Sequence, residues 1–148
     1  MISIIKKTKP HEFLGFLAIL PFFVIILLCL LDKENYLKYL DIAAFYLSII
    51  VSFIGASYWG ISLYTKKIKN KLVIFTVMPA ILVVFFYLLE IDALINLILC
   101  TFLMNMIILL EKTHFLPFIP NWYFKLRVIL NTLVTAMVFI IVLITTSY

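Results

Sequence analysis

Glycine occurs three times in 148 residues, cysteine twice and histidine twice, and charged residues make up 13% of the chain. Glycine this scarce leaves no glycine-rich loop to cradle a phosphate, which argues against nucleotide chemistry of the P-loop or Rossmann kind. Cys29 and Cys100 both fall inside apolar runs, so neither reads as part of an extracellular disulfide framework or a zinc site. Small buried hydrophobes are the expected role for both. His11 and His114 lack a close cluster of Cys, Asp or Glu, and no metal, cofactor or catalytic residue is expected. A soluble domain carries about 25% charged residues, roughly twice what is present here.

Apolar residues take the vacant share: 66% of the chain is hydrophobic and the mean hydropathy is +1.24. A bilayer core needs roughly 20 apolar residues of helix to cross it, and five stretches qualify. They are Phe13–Leu31, Ile42–Tyr64, Leu72–Leu89, Ala93–Leu110 and Trp122–Thr145. The expectation is therefore an all-α, polytopic membrane bundle of five transmembrane helices forming a single domain over residues 1–148. Phe13–Leu31 exceeds the apolar core of a signal peptide and is followed by no small-residue cleavage pattern, so it reads as a retained helix. Pro21 and Pro79 lie inside spans and are expected to kink them.

Basic residues collect on the cytoplasmic side of short loops, and their distribution sets the orientation. With the N-terminus inside, that side receives Lys6, Lys7, Lys9, Lys66, Lys67, Lys69, Lys71, Lys112, Lys125 and Arg127, ten of the 12 basic residues. Only Lys33 and Lys38 remain outside. The result is an N-in, C-out arrangement. The three-residue connector Glu90–Asp92 predicts that the third and fourth helices are antiparallel neighbours. The segment Glu111–Lys125 holds Pro117 and Pro120 among Phe115, Phe118 and Trp122, and predicts an aromatic strap along the inner interface.

Polar groups in hydrocarbon must find partners, so they are the informative residues. On the second span Ser48, Ser52, Gly55, Trp59 and Ser62 share one face, beside a small-residue row of Ser52, Ala56 and Gly60. Ile54 is turned about 100° from Gly55, toward the expected lipid side. On the fifth span Tyr123, Arg127, Asn131 and Thr135 form an unbroken stripe at four-residue spacing that must face protein or water. With Asn105 of the fourth span these groups converge on the inner leaflet. The candidate interaction site is Ser52, Gly55, Tyr58, Trp59, Asn105, Trp122, Tyr123, Arg127 and Asn131. Plainer roles exist for each: Trp59, Tyr64, Trp122 and Tyr123 as interfacial aromatics, Arg127 as a snorkelling charge, Asn96 and Asn105 as interhelical hydrogen-bonding groups on opposite faces.

Four stretches carry a resemblance: FLGFLAILPF at Phe13–Phe22, LSIIVSFIGASYWGISL at Leu47–Leu63, VMPAIL at Val77–Leu82 and NWYFKLR at Asn121–Arg127. In this order they resemble the uncharacterised bacterial and mitochondrial family that includes transmembrane protein 69, domain of unknown function 3429. Ser52, Phe53, Gly55, Trp59, Gly60, Pro79, Trp122, Tyr123 and Arg127 match its pattern, whereas Tyr58 stands where relatives often carry histidine. The resemblance implies a bacterial inner membrane or the mitochondrial inner membrane, and no Arg- and Ser-rich transit segment precedes Phe13, which favours the former.

Two functions compete at this stage. One is a non-enzymatic interaction or assembly protein that binds a membrane complex, a second copy of itself or lipid, without nucleic acid. The other is a small carrier or channel subunit for a small or anionic solute, using Arg127, Asn131 and Trp59. An enzyme acting on lipid or quinone ranks below both, because paired carboxylates, a His–acid pair and a nucleophile motif are all missing.

Overall fold

The computed structural model describes residue 10, residues 12–64 and residues 70–147. Lys6, Lys7, Lys9, His11, Lys66, Lys67 and Lys69 lie outside the described residues, as do the side chains of Tyr64 and Lys71.

Every described element is helical. Residues 12–17 form a helical lead-in, the chain turns at Ala18 and Ile19, and α1 (Leu20–Leu31) follows. Pro21 stands in the first turn of α1, where its missing N–H costs little. The proline thus divides the span at the turn before it. The Ala18 carbonyl, left without a helical donor, accepts a hydrogen bond of 2.9 Å from the Tyr46 hydroxyl. After α1 the Asp32 carboxylate accepts from the Tyr39 hydroxyl at 2.7 Å and from the Asn35 amide at 2.9 Å. These bonds, the Tyr39 one foremost, hold its carboxyl below the usual carboxylate range.

Helix α2 runs over Tyr36–Tyr64, 29 residues, starting before the expected Ile42 because exposed Lys38 and Asp41 continue the helix beyond the apolar run. Helix α3 covers Asn70–Leu88 and retains Pro79. Its end is a Schellman turn: Ile91 N–H donates to the Phe86 carbonyl at 3.1 Å and Glu90 N–H to that of Tyr87 at 3.2 Å. Glu90 carries a φ of 50°, the left-handed conformation that glycine occupies most cheaply. Helix α4 spans Ala93–Leu110, opened by Asp92, whose carboxylate caps Leu94 N–H at 2.8 Å. A π turn (Glu111–Phe115) and a 3-10 turn (Leu116–Phe118) lead into α5, Asn121–Thr146.

Helix α2 is the organising element. Helices α1, α2, α4 and α5 close a four-membered ring, with α1 and α4 flanking α2 and α5 completing the circuit between them. Helix α3 packs outside that ring against α2, through a narrow buried row of Thr76, Pro79 and Val83. The expected neighbour pair of third and fourth helices is corrected accordingly, since α3 and α4 touch little and each lies chiefly on α2. The notch at Gly55 decides this: a Cβ there would meet the Thr76 carbonyl oxygen at 2.5 Å and Pro79 Cγ at 3.4 Å. Two backbones approach at that point as only glycine allows.

Two further expectations are revised. The strap segment stays largely helical, since the π turn carries α4 onward and buries Glu111, Phe115 and Ile119 in the bundle. Ile54 faces the core at 5% exposure, and the residue turned outward is Phe53 at 73%. Among the described residues, four helical stretches are long and apolar enough to cross a membrane, and Val73–Leu88 of α3 is a shorter apolar one.

Leucine at Gly55 must push α3 away from α2, a form of overpacking that costs about 1–3 kcal/mol. Gly55→Leu should therefore lower the detergent melting temperature, while Phe53→Leu, on the exposed side, stays within about 0.5 kcal/mol of the parent. Equal melting of the two variants would show that the notch is not a contact. At the hairpin, Glu90→Gly removes a left-handed non-glycine residue and should stabilise the protein by about 1 kcal/mol, read in the same melting assay.

Candidate functional site

On α4 the buried residues Leu97, Cys100, Met104 and Ile107 follow three- and four-residue steps along one face, and the next step is Glu111. Its carboxylate enters the bundle with the side chain fully buried at 0% exposure. On α5 the stripe from Tyr123 to Thr135 faces it across the ring. Arg127 Nη2 donates to Glu111 Oε1 at 2.9 Å, a buried ion pair that clamps the end of α4 to the start of α5. One turn further along α5, Asn131 Nδ2 donates to Asn105 Oδ1 at 2.8 Å, and Asn105 Nδ2 donates to Thr135 Oγ1 at 3.2 Å. Asn105 thus hydrogen-bonds between helices. Asn96 points elsewhere: its Oδ1 accepts from the Cys100 thiol at 3.3 Å, and Cys100 in turn lies 3.4 Å from Ser48 Oγ on α2.

Tyr58 brings α2 to the same end of the bundle. Its ring packs on Phe115 with centroids 4.8 Å apart, and only 2% of the residue is exposed. The Tyr58 hydroxyl and Glu111 Oε2 have no hydrogen-bond partner among the described residues. Both residues line a cavity of about 20 Å³, closed by Gly55, Thr76 and Pro79.

A larger cavity, about 420 Å³, lies between the helical lead-in with its turn (residues 14–19), α2 and α5. Arg127, Asn131, Tyr123 and Ser57 supply its polar lining and Ile19, Ile50, Met104 and Leu126 much of its apolar wall. Arg127 Nε and Asn131 Oδ1 have no hydrogen-bond partner among the described residues. A third hollow, about 720 Å³, is a groove along the α2–α3 seam lined by Ser52, Ala56, Ala80 and Tyr87. Trp59, 48% exposed, stands at the end of that seam beside Ala56 and Val77.

Of the candidate residues, the structure brings together Tyr58, Asn105, Tyr123, Arg127 and Asn131 at one end of the ring. Trp122 adjoins them on the first turn of α5, edge-on to Tyr123 at 5.9 Å. Gly55 sits in the α2–α3 contact. Ser52 and Trp59 line the α2–α3 seam, whereas Arg127 lines the cavity between the lead-in, α2 and α5, so the indole and the guanidinium do not line the same hollow. Sequence reasoning missed Glu111 by assigning it to a charged connector with Lys112. The periodicity through Cys100, Met104 and Ile107 was the signal that pointed to it.

Across residues 8–144 the chain matches the family model described as a protein of unknown function, DUF3429. It belongs to that family. No curated protein and no solved structure matches it. In this DUF3429 chain the matched region includes the whole ring and the Glu111–Arg127 pair.

Removing one member of a buried ion pair strands the other charge and costs about 3–5 kcal/mol, while replacing both by apolar side chains costs far less. Glu111→Met and Arg127→Met alone should each destabilise the protein strongly, and the double variant should melt close to the parent. Additive losses in the double variant would mean that the two residues act independently. Arg127→Lys keeps the charge and loses the planar fork, so it should fall between parent and Arg127→Met in the same series.

Proposed function

We propose that this protein is a non-enzymatic interaction or assembly protein of the bacterial inner membrane, or of the mitochondrial inner membrane in a eukaryote. In this reading it crosses the bilayer five times, N-in and C-out, and engages another membrane protein through the α2–α3 seam. The observation that carries the reading is the open row Ser52, Ala56 and Gly60. A Cβ at Gly60 would meet nothing within 4 Å, and Ala56 is exposed, so these two positions are open within the described chain. Rows of small residues allow helices to approach closely, and exposed Trp59 beside them offers an aromatic anchor.

The likeness to the group that includes transmembrane protein 69 and the ten-to-two distribution of basic residues support the membrane and the orientation. The second reading, a small carrier or channel subunit, draws on the 420 Å³ cavity at Arg127. Glu111 already meets the arginine's charge at 2.9 Å, which weakens the attraction for an anionic solute.

The test is co-isolation in mild detergent. The parent should retain a stoichiometric membrane partner, and Ala56→Leu and Gly60→Leu should lose it while melting at the parent's temperature, because both positions are open. Retention by both variants would remove the seam from the reading. Orientation is checked by reporter fusions at the C-terminus and within residues 66–71: cytoplasmic activity is expected only from the second, and from both would refute five spans.

A further inference from the structure

The cavity between the lead-in, α2 and α5 shares the Ile49 and Phe53 ridge with the α2–α3 seam, but its chemistry is its own. Most of its wall is aliphatic, and its polar lining is Arg127, Asn131, Tyr123 and Ser57, with Tyr46 already donating to the Ala18 carbonyl. Asn131 is 6% exposed and its Oδ1 is an acceptor without a donor among the described residues. Arg127 Nε is a donor without an acceptor, and the guanidinium's charge is answered by Glu111 Oε1 at 2.9 Å on the side away from the cavity. Ser57 donates its own proton to the Ile54 carbonyl at 2.7 Å, which leaves its oxygen to accept. Leu14, Ile49 and Phe53 also line it and are exposed, as an apolar surface that meets lipid would be.

We infer that this cavity binds a neutral membrane lipid with a hydroxyl head group, entering sideways between the lead-in and α2. A hydroxyl both donates and accepts, which is what Asn131 Oδ1 and the Arg127 N–H require together. An anionic head would enter beside an arginine already neutralised by Glu111, and an ester without a hydroxyl would leave Asn131 unserved. A volume of 420 Å³ is in the range of ligand pockets, about 300–1,000 Å³, and accepts the head with the first part of a chain whose remainder passes Phe53 into the bilayer.

Three probes with one tail and different heads separate the possibilities: oleyl alcohol, oleate and methyl oleate, each titrated into the full-length protein in nanodiscs with radiolabelled oleyl alcohol as tracer. Saturable one-to-one binding of the alcohol is expected, with methyl oleate and oleate each competing about tenfold less well, the worth of one hydrogen bond to a buried group. Ser57→Leu adds apolar bulk to the polar lining without touching the ion pair and should abolish binding at an unchanged melting temperature. Ile50→Phe obstructs the same space from α2 and serves if Ser57→Leu does not fold. Absence of saturable binding, equal competition by methyl oleate, tighter binding of oleate, or full binding by a folded blocking variant would each overturn the assignment.

Discussion

A carboxylate and a guanidinium buried at one end of an apolar bundle govern much of the rest. Neither ion tolerates that environment alone, so Glu111 and Arg127 must meet, and their meeting fixes where α4 ends and α5 begins. The π turn follows from it. Within Glu111–Phe115 the wider helical turn keeps Glu111 on the inward face and also sets Phe115 under the Tyr58 ring. Tyr58 lies beside that pair, and Asn105, Asn131 and Thr135 continue the polar contact between α4 and α5, while Ser48, Cys100 and Asn96 form a second buried polar group further along.

Helix α2 carries two unlike faces. One meets α3 through a notch at Gly55, where backbone lies against backbone, and leaves small residues open beyond it. The other meets the lead-in and α5 around a cavity lined by Arg127 and Asn131. Phe53 and Ile49 stand on the ridge that borders both hollows. The polar linings are distinct, Ser48 and Ser52 in the seam and Ser57, Tyr123, Arg127 and Asn131 in the cavity.

The all-helical fold was legible in the sequence because long apolar runs have few alternatives, and the bounds of α4 were legible because Asp92 caps one end and Glu111 breaks hydropathy at the other. The α5 stripe was equally readable, as four-residue spacing of polar groups in an apolar helix leaves only an inward direction. Topological proximity was not. A three-residue connector makes two helices consecutive, and yet the glycine notch on α2 holds α3 away from α4. Charge context hid Glu111, since an acid beside Lys112 looks like a loop until the periodicity of Cys100, Met104 and Ile107 is continued through it. Trp59 failed for the converse reason: a distinctive residue on a shared helix drew an association with Arg127 that helix geometry does not allow.

The sixteen-residue separation between the paired ions bears on how such a chain is made. Synthesis runs from the N-terminus, so the helix bearing the carboxylate is complete before the arginine has left the ribosome. Standing just past the end of α4 and not at its middle, Glu111 has its counter-charge only once Arg127 follows, and the α4–α5 side of the ring joins when the two meet.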